Sequence, residues 1–312
     1  MEKLIVSSSP HIHSGASTQG IMLDVVIALL PASFAAILLF GVKAFILIAV
    51  SVATAVISEA IFNVVTKKKQ TVGDFSAVIT GLLLALNLPT TATVWQTIVG
   101  AVFAIVVVKC LFGGIGCNFA NPAITARIML LTAFPAIRAV SHSHFESADI
   151  VSGATPLAVM GGEKGTLPEL LDMLLGVRGG AIGETCAIAL ILGGLYLVAR
   201  KVIRWQVPVV FVGTVFIFSF ILGKFDITYA TYQILSGGLL IGAIFMATDY
   251  STTPVNTLGK VVFALGCGII TVIIRFYASY PEGVSFAILI MNILSPYIEK
   301  LCANVPLGKV GK

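Results

Sequence analysis

Charge is scarce in this sequence. Of its 312 residues 11% are Asp, Glu, Lys or Arg and 58% are hydrophobic, too little polar surface for a water-soluble globule of this size. With a mean hydropathy of +1.04, most of the chain is expected in lipid. C-x-x-C pairs are also lacking. Cys110, Cys117, Cys186, Cys267 and Cys302 stand apart, which excludes the common spacings of zinc and iron–sulfur ligands and leaves isolated thiols. There is no G-x-G-x-x-G unit and no polar stretch long enough for a dinucleotide domain, so NAD chemistry is excluded from this chain. The four histidines, His11, His13, His142 and His144, fall as pairs spaced by two and read as loop residues without a metal. The first twenty residues carry Ser, His, Thr and Gln where a signal peptide needs an apolar core, so the first helix is the expected anchor. The net charge of +5 sits in short basic clusters between apolar runs, which orient a membrane protein and give no reason to expect nucleic acid as a partner.

What is abundant is apolar runs of two lengths. A straight helix crosses the bilayer core in about 20 residues. Six stretches approach that: 22–41, 44–65, 95–112, 182–199, 207–222 and 257–278. Four more, 75–88, 120–134, 233–247 and 283–296, are short or interrupted. The order long, long, short, long, short occurs before a polar connection and again after it. Ile79-Thr80-Gly81-Leu82-Leu83 also resembles Leu235-Ser236-Gly237-Gly238-Leu239-Leu240. Five is odd, so two such halves lie in the membrane with opposite polarity, as an inverted repeat. The expected fold class is therefore an all-α integral membrane protein of about ten transmembrane segments, built as two inverted five-helix repeats with broken short helices. Its divisions are a segment 1–21, a first repeat 22–134, a loop 135–180, a second repeat 181–300 and a tail 301–312.

With a cytoplasmic N-terminus, the inner side receives Lys3, Lys67, Lys68, Lys69, Arg200, Lys201, Arg204, Lys260, Lys300, Lys309 and Lys312. The outer side receives Lys43, Arg138, Lys164, Arg178, Lys224 and Arg275. Eleven against six favours that orientation, which puts both termini inside and the loop 135–180 outside. A loop of that length in a compact protein usually carries function. Within it Leu167, Leu170, Leu171, Leu174 and Leu175 form a helical stripe suited to lying on the membrane surface.

The same loop holds Asp149-Ile150-Val151-Ser152-Gly153-Ala154-Thr155-Pro156. Gly153 and Ala154 clear space beside the Thr155 hydroxyl, and Pro156 biases Thr155 away from helical geometry. Read alone, the string is also an ordinary turn before a short helix. A second unusual stretch, Gly113-Gly114-Ile115-Gly116-Cys117-Asn118 through Asn121-Pro122, marks a break at membrane depth. Irregular backbone survives there only where protein or a cavity satisfies its polar groups. Either Asn118 and Asn121 knit the break together, or they border a ligand.

These residues resemble a known family. Asp149-x-x-Ser152-Gly153-Ala154-Thr155 is similar to the site at which a flavin transferase esterifies FMN phosphate to a threonine. Its place between the fifth and sixth segments resembles the D subunit of the Rnf complex and the related B subunit of the sodium-translocating NADH:quinone oxidoreductase. Ser9-Pro10-His11, Ala28-Leu29-Leu30-Pro31, Gly73-Asp74, Ala85-Leu86-Asn87-Leu88-Pro89, Phe245-Met246-Ala247-Thr248-Asp249, Glu282-Gly283 and Met291-Asn292 extend the likeness over nearly the whole chain. The resemblance implies a bacterial inner-membrane subunit that relays electrons within an ion-translocating ferredoxin:NAD+ oxidoreductase. FMN would be bound covalently at Thr155, a second, non-covalent flavin (riboflavin or FMN) would lie by Asn118 and Asn121, and Na+ or H+ would be the transported ion. Partner subunits would carry the NAD and ferredoxin sites, and a flavin transferase would mature the chain. The fold implied is similar to that of urea transporters, which keeps a channel for a small polar solute as the competing function. The loop motif argues against that alternative, since a solute channel has no evident need of it.

Ionisable residues in apolar spans each cost roughly 2.5 to 3.5 kcal/mol on insertion scales, so each needs a reason. They are Asp24, Glu59, Lys109, Arg127, Glu184 and Asp249, with Glu299 at the end of the last segment. Interfacial solvation is the expected explanation for Asp24, Glu59, Glu184 and Glu299. Arg127 is expected to neutralise Asp249 across the repeat axis, and Asp249, Arg127 and Glu299 are the candidates for ion coupling.

Overall fold

The computed structural model describes residues 17–138, 155–162, 167–184, 186–278 and 282–303, and all regular structure among them is helical. Two long helices open the chain, α1 (Thr18–Phe40) and α2 (Val42–Val65). The Ser17 side chain accepts a hydrogen bond from the Gly20 N–H, satisfying one of the donors that the first turn of α1 leaves free. With 23 and 24 residues at about 1.5 Å each, both helices are longer than the roughly 30 Å hydrocarbon core. Their surfaces are inverted relative to a soluble protein. Every fourth residue of α2 turns inward, and these include Ser51, Glu59 and Asn63, whereas Ile57, Ile61 and Val64 face outward. In lipid the outward face costs nothing and the polar groups gain by meeting one another inside.

Then come α3 (Ser76–Leu86), α4 (Val94–Val102), which continues as a π-helix through Phe103–Cys110, and α5 (Pro122–Ala133). Two short helices follow, α6 (Pro156–Met160) and α7 (Leu170–Leu175). The remaining elements are α8 (Ala187–Ala199), α9 (Gln206–Leu222), α10 (Ile227–Leu235), α11 (Leu239–Ile241) running into a π-turn Gly242–Met246, α12 (Thr257–Tyr277) and α13 (Val284–Leu301). One apolar core joins the two halves, with Leu29, Leu84 and Ile124 from the first and Leu190, Ile241 and Phe263 from the second. Between helices the contacts are close. Ser51 Oγ donates to the Gly81 carbonyl at 2.7 Å, and a Cβ on Gly81 would meet the α2 backbone at 2.8 Å.

Length and composition allow four helices to cross a membrane, α1, α2, α12 and α13, and a fifth span if α10 and α11, bent by 65°, count together. Several boundaries differ from those expected. The stretch 182–199 is helical only from Ala187, because Ile182 and Gly183 donate their N–H groups to the Leu88 and Leu86 carbonyls at 3.0 and 2.7 Å. Those carbonyls at the end of α3 would otherwise be orphaned. The expected short segment 283–296 is an 18-residue helix that runs through Pro296, whose missing N–H removes one intrahelical donor. The segment 233–247 is two helices with a break at Ser236-Gly237-Gly238, where Gly237 takes φ 65°, open to glycine at no steric cost. The surface stripe is helical from Leu170 alone, with Met173 buried and the Tyr232 hydroxyl donating to the Pro168 carbonyl at 2.6 Å. The Ile79–Leu83 string lies inside continuous helix, and its proposed counterpart forms the bend.

Candidate functional site

Arg127 sits in the second turn of α5 and is 4% exposed. Its Nη1 donates to Asn87 Oδ1 at 2.6 Å, and its Nη2 donates to Glu184 Oε1 at 3.0 Å and to Glu282 Oε2. Asn87 ends α3, Glu184 precedes α8 and Glu282 precedes α13, so one guanidinium ties the first half to two turns of the second. A bare guanidinium would be untenable here; two carboxylates and an amide partner its two Nη groups, and its Nε is left buried without a partner. Two further arginines join the cluster. Arg178 Nη2 donates to the Glu184 carbonyl at 2.8 Å, and Arg275 donates to the Gln233 and Ser236 carbonyls at 2.6 and 3.1 Å. The helix break packs directly on these groups: a Cβ on Gly237 would lie 3.2 Å from Arg275 Nη2, and one on Gly238 would lie 2.8 Å from Glu184 Oε1.

Thr155 stands at the edge of this cluster. With Leu157, Arg178, Glu184, Gly237 and Glu282 it lines a small void of about 10 Å³. Its backbone is extended (φ −65°, ψ 154°), as the following proline demands, and its Oγ1 accepts a hydrogen bond from the Ala158 N–H at 3.2 Å. The rest of the motif, Asp149, Ser152, Gly153 and Ala154, lies outside the described residues, as do all four histidines.

Burial pushes the Glu282 carboxyl up to about 7; Arg127 opposes that rise and the Glu184 carboxylate adds to it. The group is therefore protonated below about pH 7 and ionised above it. Because its ordinary value is 4.5, the folded state takes up a proton across the window from there to about 7, and stability falls as pH rises through it. An infrared band of a protonated carboxyl that titrates near neutrality and disappears in Glu282→Gln is the expected result. A titration unchanged by the substitution would refute the assignment.

A second pocket opens at the other end of α3, where Ser76, Ile79 and Thr80 line it. Ser76 and Asn87 are eleven residues apart, about 16 Å along the helix axis. This pocket has a volume of about 120 Å³ and combines apolar walls, among them Phe245 and Leu83, with Lys109, Asn118, Asn121 and Asp249. Ile115 of the glycine loop also lines it, and in that loop Gly113, Gly114 and Gly116 all take positive φ, 122°, 96° and 85°. The two asparagines differ. Asn121 Oδ1 caps α5 by accepting from the Ala123 N–H at 3.0 Å, and its amide nitrogen donates to the Met246 carbonyl at 3.4 Å, so Asn121 does knit the break together. Asn118 Oδ1 is buried with no partner. Beneath them Lys109 Nζ reaches both Glu59 oxygens at 2.9 Å and Ser76 Oγ at 2.5 Å.

Several expectations are corrected here. Arg127 does not pair with Asp249. Asp249 lies beyond the π-turn, beside the second pocket, and closes its own turn by accepting from Ser251 Oγ at 3.0 Å and Thr252 Oγ1 at 3.3 Å. Glu59 and Glu184 are not interfacially solvated; they are 2% and 4% exposed and ion-paired to Lys109 and Arg127. Asp24 is held by the Tyr196 hydroxyl at 2.9 Å and by Arg200. The Arg200 side chain is 59% exposed and that of Asp24 12%, so the pair is screened from the arginine side only. Glu299, in the last turn of α13, lines neither pocket. Glu282 and Arg178 were missed as site residues. The signal was available: a lipid-buried arginine requires counter-charge, and each of the turns before α8 and α13 offers one glutamate.

The whole chain has clear relatives. Residues 5–308 match the NQR2, RnfD, RnfE family, and the chain belongs to that family. It is 47% identical over 300 residues to the D subunit of the Na(+)-translocating ferredoxin:NAD(+) oxidoreductase complex of Acetobacterium woodii, covering 95% of this chain and 93% of that protein. It is 39% identical to the D subunit of the proton-translocating ferredoxin:NAD(+) oxidoreductase complex of Clostridium ljungdahlii, covering 97% and 96%. To the D subunit of the ion-translocating oxidoreductase complex of Stutzerimonas stutzeri the identity is 35%, with 94% and 93% covered.

Proposed function

We propose that this chain is the D subunit of an Rnf-type ferredoxin:NAD+ oxidoreductase, that it carries FMN in phosphoester linkage on Thr155, and that electrons pass through it while the complex moves Na+ or H+. The observation that carries this reading is the placement of Thr155. In extended backbone, it lines a small void together with Arg178, Glu184 and Glu282. The names of full-length relatives supply the reaction class. NAD and ferredoxin sites belong to partner subunits, and a flavin transferase attaches the FMN. The ten apolar helical segments then form two inverted five-helix repeats of urea-transporter type in the bacterial inner membrane. Both termini are cytoplasmic and the loop 135–180 is extracytoplasmic.

A flavin supplies the redox chemistry when bound; the protein's own groups hold it, orient it and set its electrostatics. The second pocket is the better candidate for a non-covalent flavin: it is roomier than the void at Thr155, its walls are largely apolar, and the orphaned Asn118 oxygen offers an acceptor for a ring N–H. Asn118→Leu is expected to lower the non-covalent flavin recovered per chain while leaving flavin at Thr155 unchanged. Equal loss from both sites, or from neither, would refute this division.

The solute-channel reading fares worse on one observation. The two pockets share no lining residue, and Glu184 on the wall of one is ion-paired to Arg127, which also holds Asn87 at the end of α3 away from the other. An ion-paired plug obstructs a solute and leaves an electron path intact. The test is to denature the complex in detergent, run a gel and look for flavin fluorescence on this band; a dark band from cells that contain the transferase contradicts the proposal.

A further inference from the structure

We infer that Glu184 and Glu282 form one proton-sharing carboxyl pair, and that the pair takes up a proton when negative charge is placed on Thr155. That the charge is borne by an FMN ester rests on the reading above. The first ground is geometry. Arg127 Nη2 donates to Glu184 Oε1 at 3.0 Å and also to Glu282 Oε2, so two carboxyl groups meet at one nitrogen. The Nη1 of the same guanidinium is given to Asn87. One cation balances one carboxylate, and a second carboxylate held against the first is relieved by a proton.

The second ground is how the neighbouring cations are used. Arg178, from the turn before α8, donates to the Glu184 backbone carbonyl at 2.8 Å. Arg275, from α12, donates to the Gln233 and Ser236 carbonyls at 2.6 and 3.1 Å and to Gln233 Oε1 at 3.1 Å. Among the described residues, neither gives an N–H to a carboxylate. These two and Arg127, from α5, are the cations that face the pair. Burial pushes the Glu282 carboxyl up to about 7; Arg127 and Arg275 oppose the rise, and Glu184 adds to it.

The third ground is access. The Glu282 side chain is 27% exposed and that of Glu184 3%, so a proton enters at Glu282 and is shared inward. Both residues line the small void of about 10 Å³ on whose wall Thr155 stands. That is room for about one water molecule and for neither a phosphate nor a ring. What links Thr155 to the pair is therefore a field. A unit charge on the order of 8 Å away, at an effective dielectric of about 20, raises proton affinity roughly tenfold or more. When an electron from the ferredoxin side of the complex reaches the flavin, one proton leaves the solvent and bonds to a carboxylate oxygen of the pair. The added charge is neutralised, and no bond of the cofactor is made or broken.

The experiment follows the infrared band of the protonated carboxyl in the full chain in detergent, assigned by isotope labelling of glutamate and by its loss in Glu282→Gln. Glu184→Gln removes the second carboxylate and is expected to lower the titration by about one pH unit or more. Thr155→Asp keeps a capping side chain and adds a charge without any flavin. It should raise the titration by about one pH unit, a tenfold rise in proton affinity, relative to the neutral Thr155→Asn. The ester-bearing chain should shift in the same direction from the bare chain, and further on reduction by dithionite. A titration unmoved by Glu184→Gln overturns the pair, and one equal in Thr155→Asp and Thr155→Asn overturns its response to charge. Should Glu184→Gln not fold, Glu184→Asp takes its place, since withdrawing the carboxylate should lower the titration in part. A dark gel band removes the ester reading and leaves both comparisons intact. A fluorescent band whose titration equals that of the bare chain overturns the inference and leaves the ester.

Discussion

Replacing Arg127 by leucine is expected to destabilise the folded chain by about 3–5 kcal/mol, the cost of stranding a buried counter-charge. Glu184 is 4% exposed and its Oε1 takes the Arg127 bond, while Asn87 Oδ1 accepts its other arm. Neither has water to turn to, so Arg127→Leu leaves a carboxylate and an amide oxygen unpaired at the junction of the halves. Arg127→Lys keeps the charge, but a single ammonium lacks the planar fork that reaches Asn87, Glu184 and Glu282 at once; it should recover only part of the loss. The double variant Arg127→Leu with Glu184→Gln should be less impaired than the sum of its parts, because the stranded charge is gone. Unfolding temperature in detergent and assembly into the complex are the measurements. Additive losses would mean that the two side chains do not act as a pair.

Thr155→Ala is expected to remove all denaturation-resistant flavin from the band and to stop electron transfer through the complex, while the helical scaffold stays folded. The threonine contributes to folding only through the bond its Oγ1 accepts from the Ala158 N–H at the start of a five-residue helix, worth about 1 kcal/mol. A large functional loss with a small structural one separates an attachment site from a helix cap. Thr155→Ser retains a hydroxyl and the cap and should keep a measurable fraction of the flavin. Were Thr155→Ala to leave fluorescence on the band, the ester would lie elsewhere.

The sequence made the apolar segments legible because lipid imposes a length and a composition on any helix that crosses it. It made the extended backbone of Thr155 legible through the proline that follows. It misplaced the ends of helices wherever a distant carbonyl decided them, as at Ile182 and Gly183, whose N–H groups close the end of α3. Pro296 misled for the opposite reason: one missing donor in an otherwise well-packed helix is too small a loss to end it. Pairing of buried charge was the least legible feature. Arg127 demanded an anion, but only the fold brings Glu184 and Glu282, 57 and 155 residues away, to one guanidinium and turns Asp249 toward the other pocket. Arg178 and Arg275, counted from sequence among the outer-side charges, also join this cluster.

Mass spectrometry of the peptide bearing Thr155, taken from a complex that is actively reducing NAD+ with ferredoxin, tests the central claim most directly. The mass should exceed that of the bare peptide by one FMN less the water lost on esterification, with fragmentation placing the addition on Thr155. A bare peptide from fully active material would contradict the account.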